Sequence, residues 1–222
     1  MNGIEPIGRP AMEWAALLKT TLTLFAIVDP VGNIPFFLIV TQSLSAPQTR
    51  RTAAIAALTV WGILVASALL GEHALRFFDI RIESFSVAGG LLLLMLSLSM
   101  LQAQTSPLRQ TPDEALEAEE KAAVGAVPLG VPLLAGPGAI TQVILAAAAH
   151  PGEPLRQTGL ILAITLVSLA AWLSLRAAPY IERRLGRTGI HIVTRLMGLI
   201  IAAISVEMIV RGLSRLFPGW AA

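Results

Sequence analysis

The chain has 222 residues, 55% of them hydrophobic and 14% charged, with no cysteine and a mean hydropathy of +0.73. A soluble domain of this size needs far less apolar content, so composition identifies an integral membrane protein and excludes disulfides, thiolate metal sites and cysteine nucleophiles. The formal net charge is only +2, and the basic residues sit in short stretches beside apolar runs. They read as topology signals, not as a nucleic-acid surface.

The first nineteen residues contain Glu5 and Glu13 and lack a basic n-region with a small-residue cleavage site, so no cleaved signal peptide is expected. Six segments approach the roughly 20 apolar residues that span a bilayer. The first covers residues 14–40. Its Lys19 is near enough to the end to snorkel, but its Asp29 is not, and a charge at the centre of a membrane helix costs about 2.5–3.5 kcal/mol. Asp29 lies in VDPVGNIPFF, residues 28–37. Pro30 and Pro35 cannot donate to the carbonyls of Ala26 and Val31, and Gly32 lowers helix preference further, so a break is predicted here. Asp29 with Pro30, or alternatively Asn33, forms a cap for a new half-helix.

Residues 45–51 read as a loop or helix start with Pro47, Arg50 and Arg51, followed by an uncharged second span over 52–71. A short charged connection, 72–83, leads to the third span, 84–103, where Gly89 and Gly90 mark a close-packing point. Residues 104–121 form a polar linker, with a surface helix predicted from Thr111 and Pro112 at its start and acids in its first turn. The fourth span, 122–150, is uncharged but broken by Pro128, Pro132 and the triplet Gly136-Pro137-Gly138, within LLAGPGAIT. The fifth covers 157–175. The sixth, 190–210, carries Arg195 and Glu207, and Glu207 lies four residues before Arg211, the spacing of a helical ion pair.

The halves match at a nearly constant offset. Pro30 and Pro137 differ by 107, Thr52/Thr158 and Thr59/Thr165 by 106, and Ile82/Ile190, Gly90/Gly198, Ser97/Ser205 and Met100/Met208 by 108. Two three-span repeats are therefore expected, residues 14–103 and 122–215. Because three is odd, the second copy enters the membrane from the opposite side. The fold expected is all-α, six transmembrane helices as an inverted pair with helices 1 and 4 broken. Alternating loops carry seven basic residues on the side of the termini and nine on the other, which places the termini outside.

A broken membrane helix exposes unpaired amides and carbonyls of opposite partial charge. Two half-helix N-termini meeting near the midplane would bind a carboxylate through the amides after Gly32 and Gly138, while Asp29 and Asn33 contact an ammonium or a coupling proton. Thr141 adds a hydroxyl to the second motif. Each feature also has a structural reading: Asp29 as a cap, Gly136 and Gly138 as packing glycines, Thr141 bonded to its own helix. The three histidines, His73, His150 and His191, have no ligand spacing, and neither metal nor cofactor is expected.

The pair DPVGNIPFF and LLAGPGAIT, in a chain of this length with six spans, closely resembles the MarC family of bacterial inner-membrane proteins. The resemblance covers essentially the whole chain. Some members resemble transporters of small neutral amino acids, and the layout is similar to that of LysE-type exporters. It implies a multi-pass inner-membrane protein with Asp29, Pro30, Gly32, Asn33 and Pro35, and Gly136, Pro137, Gly138 and Thr141, as its functional positions. The expected function is secondary transport of a small neutral amino acid or similar metabolite, coupled to a proton or sodium gradient. The expected partners are that substrate and the lipid bilayer, with no nucleic acid; a homo-oligomer is compatible with the sequence. The rivals are a non-transporting binding or assembly protein and a channel. An intramembrane enzyme is not expected, because the chain has no H-x-x-E-H or G-x-S-x-G motif and Asp29 lacks a second carboxylate.

Overall fold

A computed structural model describes residues 9–42, 44–102, 134–149 and 152–220. The described part is helical, without strands: α1 Arg9–Val28, α2 Ile34–Val40, α3 Ala46–Phe77, α4 Ile82–Leu101, α5 Pro137–Ala148, α6 Pro154–Arg176 and α7 Ala178–Leu216, closed by a 3-10 turn at Pro218–Trp220. The linker helix predicted from Thr111, the prolines Pro128 and Pro132, and His150 lie outside the described residues.

The predicted break in the first span is the interval between α1 and α2. In the fourth span α5 starts at Pro137, with Gly136 as its N-cap. Among the described residues, α3, α4, α6 and the Thr188–Leu216 part of α7 are long and apolar enough to cross a membrane, while Trp14–Val28 and α5 are shorter apolar helices. Two spans are longer than the sequence implied. Helix α3 opens at Ala46 because Ser45 caps it: the Ser45 N–H and Oγ both lie in hydrogen-bonding range of Gln48 Oε1, at 2.9 and 2.6 Å. It runs 32 residues, about 48 Å at 1.5 Å per residue, well beyond the roughly 30 Å of hydrocarbon, so it projects past the bilayer or tilts. Helix α7 starts at Ala178 and is interrupted at Gly186, whose φ of 65° and ψ of 173° suit a residue without Cβ.

Burial sorts these helices into an inner and an outer set. Every residue from Ala26 to Pro30 is buried, and α5 buries Gly138, Ala139, Thr141, Val143, Ile144, Ala147 and Ala148. The outer helices bury one face and expose long side chains on the other, such as Leu91, Met95 and Leu98 on α4 and Leu162, Leu166, Leu169 and Leu173 on α6. In water such surfaces would drive aggregation; against lipid they need no cover.

Helix α1 packs against α5, α6 and α7, and α5 packs against α1, α3 and α4; α3 pairs with α6, and α4 pairs most extensively with α7. The α4–α7 pair is antiparallel and built on glycine. A Cβ on Gly90 would stand 2.9 Å from the Ser205 carbonyl and 3.2 Å from the Ile209 nitrogen. One on Gly198 would stand 3.2 Å from the Ser97 carbonyl and 3.4 Å from the Leu101 nitrogen. Gly90/Gly198, Ser97/Ser205 and Leu101/Ile209 all differ by 108, so the two contacts are reciprocal. Ser97 and Ser205 also bond back alike, to the carbonyls of Leu94 and Ala202, each at 2.7 Å.

Replacing Gly90 with Leu forces apart two backbones and should cost about 1–3 kcal/mol of overpacking strain. Gly62→Leu on α3, where nothing described lies within 4 Å of the new Cβ, is the matched control. The apparent melting temperature of purified protein should fall for Gly90→Leu and hold for Gly62→Leu; an equal response in both would contradict the packing argument.

Candidate functional site

The turn between α1 and α2 is held by its own polar side chains. The residue before a proline is pushed out of the right-handed helical region, and Asp29 adopts φ 46°, a conformation that Asp tolerates better than bulky or β-branched residues. Its N–H still donates to the Phe25 carbonyl at 2.9 Å, the last bond of α1. The carbonyl of Val28 would then be stranded in an apolar core, and that of Asp29 would hold only the Asn33 backbone N–H. Asn33 Nδ2 donates to both, at 3.0 and 2.8 Å. Asp29 Oδ1 accepts the Gly32 N–H at 3.1 Å, and Asp29 and Asn33 are 1% and 4% exposed, so this network is sealed from bulk water.

Two sequence expectations change at this turn. Asn33 occupies the N-cap position of α2, but its side chain makes no cap bond to that helix; it closes the C-terminus of α1 instead. The amides after Gly32 are expected from the sequence to bind a carboxylate. They are taken up within the turn: Gly32 N–H by Asp29 Oδ1, Asn33 N–H by the Asp29 carbonyl at 3.3 Å, and Ile34 N–H by the Val31 carbonyl at 3.1 Å. Pro35 has no N–H, and α2 is only seven residues long. The first break therefore leaves no free amide at Gly32, Asn33 or Ile34.

The start of α5 is built differently, but the amides expected there to bind a carboxylate, those after Gly138, are likewise taken up: the Ala139 and Ile140 N–H groups both donate to the Gly136 carbonyl, at 3.0 and 3.2 Å. Gly136 is extended, at φ −67° and ψ 169°, Pro137 follows in the first turn, and α5 makes no side-chain cap bond. No described atom lies within 4 Å of a Cβ placed on Gly136, and Pro137 is exposed, whereas Gly138 is buried. A Cβ on Gly138 would stand 2.5 Å from Leu93 Cδ2 and 3.6 Å from Ile27 Cγ2, so this glycine serves close packing. Thr141 is 4% exposed and turns its methyl group onto Gly89 of α4.

These contacts bring the turn after α1 and the start of α5 together. Ile27, two residues before Asp29, meets Gly138, and Leu93 of α4 covers the same point. Glu207 forms the ion pair expected with Arg211, at 2.7 Å on an exposed surface, and stands apart from the site. Sequence reasoning missed Thr194. Its Oγ1 is 2.5 Å from the position that a Gly32 Cβ would take, next to the Asp29 carboxylate. The 108-residue offset gives a faint signal for it, since Thr194 aligns with Ser86, another hydroxyl on the matching helix.

Asn33→Leu removes the side-chain donor at similar volume, leaves the buried Val28 carbonyl unpaired at about 1–3 kcal/mol, and leaves the Asp29 carbonyl with only the backbone N–H of residue 33. Purified Asn33→Leu should have a markedly lower apparent melting temperature than Asp29→Asn, which keeps a side-chain oxygen for the Gly32 amide. The reverse order would remove Asn33 from its role as the cap of α1.

The family model for MarC family integral membrane proteins matches residues 14–217. The chain is 37% identical over 207 residues to the UPF0056 membrane protein YhcE of Escherichia coli K12, covering 93% of this chain and 96% of that one. It is 34% identical over 208 residues to the UPF0056 membrane protein YvbG of Bacillus subtilis, covering 93% and 98%. A UPF0056 membrane protein of Methanocaldococcus jannaschii is 40% identical over 195 residues, covering 86% and 92%. No solved structure matches the chain. With both helix breaks inside the matched region and coverage nearly end to end, the chain belongs to the MarC family of integral membrane proteins.

Proposed function

We propose that the protein is a secondary transporter that moves small neutral amino acids or similar metabolites across the bacterial inner membrane, coupled to a proton or sodium gradient. The observation that carries this reading is the meeting of the interrupted first span with the N-terminal end of α5 beside a buried carboxylate. Backbone irregularity and charge at membrane depth are costly, and both concentrate where polar cargo or ions pass. In this reading the N-terminal end of α5, at Gly136, takes the carboxylate of the substrate, and Asp29 takes its ammonium or the coupling ion. No chemical step is assigned to the protein.

The reading includes an inverted pair of three-span repeats. Its support is the pattern of packing. Exchanging first span for fourth, second for fifth and third for sixth turns α1–α6 into α5–α3, and α1–α7 into α5–α4, and all four pairs occur. The antiparallel course of α4 and α7, with reciprocal contacts at Gly90 and Gly198, is what a two-fold axis in the membrane plane would produce. Alternating access would then be a rocking of one repeat against the other. Arg176, stacked 5.4 Å over Trp172, and Arg184, 5.3 Å over Tyr180, belong to the basic side, which the reading makes cytoplasmic, with the termini periplasmic.

A second reading, a membrane assembly protein without transport, is favoured by one observation, the sealing of Asp29. For a transporter the same burial is an occluded conformation, so the two readings differ in whether the site opens.

Proteoliposomes containing the purified protein should take up or exchange at least one of glycine, alanine, serine and threonine when a proton or sodium gradient is imposed, and Asp29→Asn should reduce that flux at least tenfold. Absence of flux for all four under both gradients would reject transport of this class. Because the chain has no cysteine, Gly136→Cys gives a single labelling point. Its reaction with a membrane-impermeant maleimide should change at least severalfold with substrate present. A rate indifferent to all four amino acids would favour the assembly reading.

A further inference from the structure

Helices α3 and α6 run antiparallel, because short connections join them to α4 and α7, which are themselves antiparallel. After α4 and α7 they are the most extensively packed pair. One side-chain bond fixes their register: Trp61 Nε1 donates to Thr165 Oγ1 at 3.0 Å, near the middle of both helices. Eleven residues make about three turns of helix. Arg50 therefore lies under Trp61 on the same face of α3, and Arg176 lies under Thr165 on the same face of α6. Both stand about 16 Å from that bond by helical rise, toward the end where α3 begins and α6 finishes. That is the depth at which a hydrocarbon layer of about 30 Å gives way to headgroups.

Neither arginine has a carboxylate for a partner. Arg50, Arg51, Arg176, Arg183 and Arg184 are all exposed at this end, and among the described residues none of them forms an ion pair; Arg176 and Arg184 lie instead over the rings of Trp172 and Tyr180. The opposite end is different. There Arg76, Arg156 and Arg211 pair with Glu72, Glu153 and Glu207 at 2.6–2.7 Å. The seam also carries an internal comparison, because the buried residues Ala53, Ala57 and Val60 of α3 match the buried Leu160, Ile164 and Val167 of α6 at an offset of 107. At that offset the counterparts of Arg50 and Arg176 are Gln157 and Leu69, neither of them charged. Two unpaired cations therefore share one level at one end of the seam and not at the other.

We propose that Arg50 and Arg176 together hold the phosphate of an anionic phospholipid whose acyl chain lies along the α3–α6 seam. Like charges set at one level repel unless an anion sits with them, and guanidinium groups match phosphate oxygens in bidentate geometry. The source is a lipid and not a soluble phosphate, because the surface that leads to Arg176 is apolar and open. Leu162, Leu166, Leu169 and Leu173 approach it on one face of α6 at steps of three and four residues, each 43–51% exposed. The site joins the second span to the fifth, so an occupied site ties the two halves of the chain together on one side of the membrane. It stands without the transport reading, which makes no use of it.

The test uses the purified full chain in detergent, titrated with phosphatidylglycerol and separately with phosphatidylcholine of the same acyl chains, with thermal unfolding as the readout. Phosphatidylglycerol should stabilise the wild type saturably, and phosphatidylcholine should not. Arg50→Gln and Arg176→Gln should each raise the midpoint about fivefold, and the double variant at least tenfold. Arg156→Gln at the other end, and Arg183→Gln combined with Arg184→Gln, should stay within about threefold of wild type. Native mass spectrometry, which counts the lipid retained on each folded molecule, applies the same criterion to any variant whose melting temperature has dropped. Equal stabilisation by the two lipids would overturn the proposal, as would an equal loss in the Arg183/Arg184 variant, the mark of diffuse attraction. Glycerol phosphate acting as well as the lipid would make this a soluble-anion site and reject the lipid. The competing partner within the chain is the acidic stretch 113–120, which has five Asp and Glu residues. A response to phosphatidylglycerol that appears only after those acids are changed to amides would give the arginines to that stretch and overturn the proposal as well.

Discussion

The two hydrogen bonds from the Asn33 amide to the carbonyls of Val28 and Asp29 are the interaction on which the centre of this molecule depends. A helix may stop inside a bilayer only if the backbone groups it abandons find partners in the protein, because hydrocarbon offers none and each stranded group costs several kcal/mol. Asn33 provides two donors from one side chain, which lets α1 end at Val28 without water. Once that end is secured, the rest of the turn follows: Asp29 can leave the helical region, its carboxylate can fold over the Gly32 amide, and α2 can restart at Ile34 with proline in its first turn. The asparagine thus serves the helix before it, not the one after it.

The outer helices make this turn accessible to a neighbour. Lipid supplies no hydrophobic drive for helix association, so contact must come from close approach, and glycine is the means. Gly90 and Gly198 bring α4 and α7 backbone to backbone, Gly71 of α3 admits the Ile144 side chain of α5, and Gly138 admits Leu93. These contacts place Thr194 against one break and Gly89 against the other. Packing several turns away therefore sets the distance between the hydroxyl of α7 and the carboxylate of the turn.

Much of this was legible in the sequence because it is written in backbone chemistry. Asp29-Pro30 marked the break after α1, Gly136-Pro137 marked the start of α5, Gly89-Gly90 marked close packing, and the spacing of Glu207 and Arg211 marked their ion pair. Three features were not legible, each for a physical reason. The direction in which Asn33 caps cannot be read from its position, since an asparagine between two helices can serve either. The interruption at Gly186 lies between basic residues at the end of a span, where a glycine looks like any loop residue. Thr194 has no local signal at all: a lone threonine beside Arg195 gains meaning only from what α7 packs against, and that is long-range information.

The turn after α1 and the start of α5 differ in backbone and in chemistry, left-handed at Asp29 and extended at Gly136, and the difference has a direction. By the correspondence of Pro30 with Pro137, Gly136 stands where Asp29 stands. An acid at both positions would set two carboxylates near the meeting of α1 and α5, and each would oppose ionisation of the other in that apolar core. It would also oppose any anion approaching the N-terminus of α5, where the helix dipole favours negative charge. Glycine removes that conflict, and it leaves α5 with an N-cap that contributes no side-chain acceptor. The turn after α1 keeps the acid and lies beside the Thr194 hydroxyl; the start of α5 has no acid and no side-chain cap. Two motifs at matching positions thus differ in charge, an acid at one and a glycine at the other, and the proposed transport of a zwitterion draws its support from that asymmetry.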